Sequence, residues 1–477
     1  MLRLTLFSAT LVILLVFVMV GSSTASETGD VALRGAIGAV FESESLPPGF
    51  YGAHVVDVRT GEVVYSRNAD IPFTPASTLK VLTTATALDA LGPDYRFETA
   101  LHFMGNDGGG VLNGDLVMVG RGDPTFGSLY IQADSVVANP LRAWANALYQ
   151  RGVRRIEGRL IGDGRFFIEE PYPASWEYGH VATEAWAQSA GGLSYRDNLV
   201  RVQFSGGELT TIPEDFGQII NETADGSQGG GLLRVRRVVG SNTIRISGRV
   251  PSRYAGTVRV PIERPSELTM ASFADQLRKA GIDVQAQIFD AAMMEEPPSP
   301  DGDPIFLHHS PPLIEILGEI NRQSNNFYAE QVLRALGGGS MRAGIRRQMT
   351  LLQAAGVNTQ DLVLEDGSGL SRKNMITPEA MTSLLRHMYS HEYAAQYLST
   401  IPEGGQPRST MRFRLGGVPV RAKTGAINYV RGLVGYVDAP DGSVLAFALF
   451  ANQVTTREAE VGRVINETVV AMTTGQR

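Results

Sequence analysis

Residues 73–92 read FTPASTLKVLTTATALDALG, and within them Ser77-Thr78-Leu79-Lys80 sets a hydroxyl and an amine three positions apart. Pro75-Ala76-Ser77 is a helix start, Leu79, Leu82, Leu88 and Leu91 suit one buried face, and Gly92-Pro93 is a stop. The spacing therefore predicts a helix whose first turn carries both groups on one side. A serine hydroxyl is a poor nucleophile without a base in hydrogen-bond reach, and a lysine is that base only when its amine is neutral. A helix N-terminus and burial both push a lysine pKa down, whereas an arginine cannot be deprotonated in this way. Of the 42 basic residues only four are lysines, at 80, 279, 373 and 423, so a chain built on arginine keeps lysine here. Alone, Ser-x-x-Lys recurs by chance about once or twice in a chain of this length, and a solvated surface pair is its bland reading.

Outward from this stretch, Tyr51 to Ser66 alternates valines around Arg59-Thr60-Gly61-Glu62 and reads as a β-hairpin. From about Arg96 to Pro300 short Val/Leu-rich runs are separated by glycine-rich turns, and from Asp301 onward helices return. Near the end, Val418 to Thr424 alternates as a strand, Gly432–Val437 and Val444–Phe450 form a hairpin, and a helix from about Arg457 to Met472 closes the chain. One hairpin and one helix cannot bury a core of their own. We therefore expect residues 30–96 and 301–477 to build one α/β (α+β) domain, interrupted by a β-rich insertion over 97–300 that divides into two subdomains. A tandem of three domains is the alternative.

Two further stretches carry chemistry-bearing groups. Lys423-Thr424-Gly425 ends the Val418 strand, and the glycine lets an extended ligand approach that edge closely. Ser324-Asn325-Asn326 sits in a helix joint and offers a hydroxyl and an amide that can hold a backbone carbonyl, although helix capping is the default for these residue types. Two of the four lysines thus fall where a Ser/Lys acyl-transfer site needs them. Other chemistries lose ground on composition. The chain has no cysteine, so thiol catalysis and cysteine metal sites are excluded; the one His-x-x-x-His pair, His387 and His391, has Met388 where a His-Glu-x-x-His zinc motif needs glutamate; and no Gly-x-Ser-x-Gly elbow occurs. Neither metal nor cofactor is expected. A net charge of −7, without basic runs, gives no footprint for nucleic acid.

The ordered set Ser77-Thr78-Leu79-Lys80, Ser324-Asn325-Asn326 and Lys423-Thr424-Gly425 resembles the three motifs of the penicillin-recognising serine enzymes. The 247 positions between Ser77 and Ser324 are similar to the long insertion of class C low-molecular-mass penicillin-binding proteins, the S13-type D-alanyl-D-alanine carboxypeptidase/endopeptidases. Phe73–Ser77, Leu91–Phe97, Gly122–Thr125, Asp366–Ser371 and Gly432–Val437 extend the likeness over nearly the whole chain. The resemblance implies a penicillin-binding-protein/β-lactamase-like serine transpeptidase domain, with an antiparallel sheet flanked by helices. It implies Ser77 as the acylated nucleophile, Lys80 as its base, Ser324 as proton relay, Asn326 as holder of the substrate amide and Lys423 as electrostatic support. The backbone amides of Ser77 and Ala426 would form the oxyanion hole. Many members carry Ser or Thr where this chain has Ala426, so carboxylate recognition would fall to Thr424 and a nearby arginine, with Gly425 keeping the edge open. Asp163, in Gly162–Phe167, resembles a subsite residue that reaches the stem-peptide side chain; an exposed turn carboxylate is its bland reading.

The implied partners are peptidoglycan stem peptides and, as covalent inhibitors, β-lactams. A serine β-lactamase would share acylation and differ in fast deacylation, and a vestigial cell-wall-binding protein would not acylate. Arg3, the apolar run Leu4–Val20 and Ser23-Thr24-Ala25 read as a signal peptide over residues 1–25, with an uncleaved anchor and peripheral membrane or cell-wall association as the alternative. Either places the body outside the cytoplasmic membrane, in a periplasmic or other extracytoplasmic space.

Overall fold

The computed structural model describes residues 31–128, 130–131, 139–168, 171–205, 208–213, 216–225, 233–250 and 254–474, so the expected signal segment lies outside the described residues. The central element is a five-stranded sheet in the order Val420–Ile427, Val430–Asp438, Val444–Asn452, Phe50–Asp57, Val63–Arg67. Every neighbouring pair is antiparallel, and Ala53 lies opposite Leu449, Val55 opposite Phe447. The early hairpin is therefore completed by strands from some 390 positions later. Alternation decides which face each side chain meets. Ala446, Ala448 and Phe450 join the core under the helices Lys80–Leu91, Leu313–Gln323, Asn326–Leu336 and Pro378–Tyr389. Leu445, Phe447 and Leu449 pack instead against the closing helix Glu458–Thr474 and a helical segment over residues 31–41.

The helix after Ser77 differs from its sequence reading. Ala76–Leu79 form a 3-10 turn and the α-helix runs Lys80–Leu91, with every residue from Lys80 to Leu88 buried rather than one face. Its polar face tolerates burial because the threonines are satisfied: Thr84 and Thr86 hydroxyls donate back to the Lys80 and Leu82 carbonyls, and Thr83 donates to the Gly367 carbonyl at 2.6 Å.

Between the two contributing segments lie a seven-stranded sheet and two three-stranded sheets. The large sheet contains the hairpin Glu98–Gly108/Val111–Gly120 and also the strand Phe306–His309, paired with residues 98–101. A strand from the expected segment 301–477 thus belongs to this sheet, and the following helix begins at Leu313. Entry and exit are stitched together: Phe97 N–H donates to the Ser310 hydroxyl and Ser310 N–H to the Phe97 carbonyl, both at 2.9 Å. The smaller sheets, Leu199–Ser205/Glu208–Ile212/Gly256–Pro261 and Ile219–Asp225/Arg234–Arg237/Ile244–Val250, share a core of Val200, Val202, Ile244, Ile246 and Val260.

Candidate active site

Lys80, the first residue of its helix, has a wholly buried side chain whose Nζ makes three hydrogen bonds. They run to Ser77 Oγ at 2.9 Å, Asn326 Oδ1 at 2.7 Å and the Ser368 carbonyl at 2.6 Å. Three acceptors saturate an ammonium; a neutral amine keeps two donors and turns its lone pair toward the Ser77 hydroxyl, which then donates. Burial pushes the Lys80 pKa down to about 7, against the opposing pull of the Asp366 and Glu330 carboxylates. Lysine at this depth is a base near neutrality.

The helix joint separates capping from chemistry. Ser324 ends the helix Leu313–Gln323 in a left-handed conformation, φ 59°, and Asn325, whose side chain accepts from Tyr328 N–H, caps the next helix. The neighbours on either side are thereby left to the site. Lys423 Nζ donates to Ser324 Oγ at 3.0 Å and to the Thr424 carbonyl at 2.7 Å. Its ammonium is held well below the usual lysine range by burial and by the nearby Lys80. Gly425 lets this strand lie on the Ser77 turn: a Cβ there would stand 2.7 Å from the Pro75 carbonyl oxygen and 3.0 Å from Thr78 N. The Thr424 hydroxyl donates to that of Thr410 at 2.8 Å, and Ala426 is exposed beside them.

A cleft of about 380 Å³ opens over Ser77, with Ser324, Asn326 and Ala426 in its wall. The structure brings together Ser77, Lys80, Ser324, Asn326, Lys423, Thr424, Gly425 and Ala426. It does not bring Asp163 to them. Asp163 ends the strand Arg159–Asp163, and its carboxylate is occupied by Arg165, accepting from Nε at 2.9 Å, from Nη2 at 2.7 Å and from the Arg165 N–H. The expected subsite carboxylate is thus spent two residues away and does not line the cleft.

Several residues of the site escaped the sequence reading. Glu177, His180 and Trp186, from the inserted part, line the opposite wall together with Arg372 and Arg431. Three bonds tie this segment down: Asn326 Nδ2 donates to the Trp186 carbonyl at 2.9 Å, Arg372 Nε to Glu177 at 2.8 Å, and Trp176 Nε1 to Asp366 at 2.9 Å. Their one sequence signal is composition, because two of the chain's three tryptophans stand at 176 and 186.

A buried amine bonded to a serine hydroxyl at the edge of this antiparallel sheet defines a serine acyl-transfer enzyme of the penicillin-binding-protein and β-lactamase fold. Comparison with known proteins narrows the class. The model of the D-Ala-D-Ala carboxypeptidase 3 (S13) family matches residues 33–476, and the chain belongs to that family. It is 30% identical over 447 residues to a D-alanyl-D-alanine carboxypeptidase of Actinomadura sp. strain R39, covering 88% of this chain and 81% of that one. It is 25% identical over 445 residues to the D-alanyl-D-alanine carboxypeptidase DacB of Haemophilus influenzae, covering 88% of each. Its fold matches the crystal structure of penicillin binding protein 4 from Haemophilus influenzae with a TM-score of 0.75 at 24% identity, over 91% of this chain and 98% of that one. The chain is thus a serine-type hydrolase of the D-Ala-D-Ala carboxypeptidase family.

Proposed function

We propose that Ser77 is acylated by the penultimate D-Ala of a peptidoglycan stem peptide and that water then releases the shortened peptide. Neutral Lys80 takes the Ser77 proton as Oγ attacks the carbonyl carbon. The backbone N–H groups of Ser77 and Ala426 hold the oxyanion. Collapse breaks the C–N bond, and Ser324, held by Lys423, passes a proton to the departing amine. Asn326 orients the substrate amide once the Trp186 carbonyl yields its Nδ2, and Thr424 with Arg372 receives the terminal carboxylate, the part that a hydroxyl at position 426 would share. Gly425 keeps the strand edge open to the extended peptide.

The observation that carries this reading is the threefold bonding of the wholly buried Lys80 amine to Ser77, Asn326 and Ser368. A leaving group that is free D-Ala gives carboxypeptidase activity; one that is the side-chain amine of a neighbouring stem gives endopeptidase activity. The inserted part, whose Glu177 and Trp186 wall the cleft, positions the longer of these substrates. β-Lactams enter as covalent inhibitors at the same serine, in keeping with the Haemophilus influenzae structure complexed with a β-lactam. Lasting acylation is favoured over fast deacylation by the carboxylates of the cleft: among its described lining residues, Glu177 is paired with Arg372 and Glu458 with Arg431. Export by the segment 1–25 places this chemistry outside the cytoplasmic membrane, at the cell wall.

The test is the release of D-Ala from a stem pentapeptide, followed by mass spectrometry across pH. A base must be unprotonated to act, so with Lys80 near 7 the rate rises about tenfold per pH unit below that value and levels above it. No release at any pH, or a flat profile between pH 5 and 9, contradicts the proposal.

A further inference from the structure

We propose that Glu330 is a positioning residue for acylation: its buried carboxylate, four residues after Asn326 on the same helix, grips the turn at Gly367 and Ser368 and so presses the Ser368 carbonyl onto the Lys80 amine. Glu330 Oε1 accepts from Gly367 N–H at 3.0 Å and from Ser368 N–H at 2.9 Å, and Oε2 accepts from Arg334 Nη1 at 3.1 Å. Glu330 and Arg334 are both wholly desolvated. Burial and the neighbouring Asp366 push the Glu330 pKa up, while the Arg334 guanidinium and the Ser368 N–H pull it back down. The turn is closed from its other side by Asp366, which accepts from Gly369 N–H at 2.8 Å, Ser371 N–H at 2.6 Å and Trp176 Nε1. The carbonyl so fixed makes the shortest of the three Lys80 contacts.

The same carboxylate acts through charge. The ionisable groups facing Lys80 are Glu330 and Asp366, which favour its ammonium, and Lys423, across the site, whose own ammonium is disfavoured by it. Burial lowers the Lys80 pKa and the carboxylates of Asp366 and Glu330 raise it, so the amine stays basic while being neutral near pH 7. Glu330 thus sets where the base titrates as well as where it sits. This rests on Lys80 being the base.

Glu330→Gln keeps an oxygen for the two N–H donors and removes the charge. The rate of acylation by a chromogenic β-lactam is measured from pH 5 to 9 in the full chain. The expected result is a rising limb displaced to lower pH by about half a unit or more, with a plateau reduced about tenfold as the turn loosens. A limb superimposed on that of the parent, whatever the plateau, overturns the proposal, because a merely structural role lowers the rate without moving the midpoint. Where the single substitution fails to fold, Glu330→Gln with Arg334→Gln removes the buried pair together and leaves no unpaired charge; the same displacement is expected. Failure of the base reading itself is distinguishable, since the parent would then show no limb near 7.

Discussion

Lys80→Arg loses acylation by a β-lactam by about a thousandfold or more, although it keeps the charge and roughly the length of the side chain. In the parent the amine sits between Ser77 Oγ, Asn326 Oδ1 and the Ser368 carbonyl, so a lone pair freed by deprotonation has one partner able to give it a proton, the serine hydroxyl. A guanidinium has no such lone pair at any working pH. The measurement is the second-order acylation rate from intact mass against time, with folding checked by circular dichroism. A folded Lys80→Arg protein that acylates within tenfold of the parent removes Lys80 from the role of base.

Gly369→Ala has the second large effect, on stability and acylation together. Gly369 adopts φ +77°, and a Cβ there would stand 1.9 Å from the Ala76 carbonyl oxygen and 3.1 Å from Leu79 Cβ. The turn carrying the Ser368 carbonyl lies directly on the turn carrying Ser77, so a methyl group must drive the two apart. The left-handed backbone alone costs about 1 kcal/mol and overpacking about 1–3 kcal/mol, so a loss of about 2–4 kcal/mol is expected in urea unfolding. The folded fraction should acylate about tenfold more slowly. Gly356→Ala is the control: it shares a positive φ, +82°, but a Cβ there meets nothing within 4 Å, so only the backbone part of the loss should remain. Equal losses at the two positions would show that the contact with Ala76 does not matter.

What could be read from the residues is what local chemistry specifies. Ser77 and Lys80 are neighbours on one turn whatever the rest of the chain does, and the apolar run Val444–Phe450 already reads as one strand of a hairpin. Lys423 and Ser324 were legible as candidates because lysine is scarce and because hydroxyl and amide share one joint. Long-range pairing was not legible in the same way. The Trp186 carbonyl reaches Asn326 across 140 positions, and no periodicity announces a backbone acceptor. The strand Phe306–His309 hid because four residues ending in two histidines show no alternation, yet it pairs with residues 98–101. The pairing of Asp163 was not legible either: residues i and i+2 at a strand end point the same way, so Arg165 turns back onto the carboxylate. The threonines at 83, 84 and 86 concealed the full burial of their helix, since polarity alone does not say that a hydroxyl will be satisfied by a backbone carbonyl, of its own helix at 84 and 86 and of Gly367 at 83.

The central claim is that a covalent acyl-enzyme forms on the hydroxyl that Lys80 holds. Peptide mapping by tandem mass spectrometry after exposure to a β-lactam tests it most directly, run on the parent and on Ser77→Ala. The account predicts one adduct, on the peptide containing Ser77, and no adduct in folded Ser77→Ala. An adduct retained in Ser77→Ala, or mapped to Ser324 or any other residue of the parent, would contradict it.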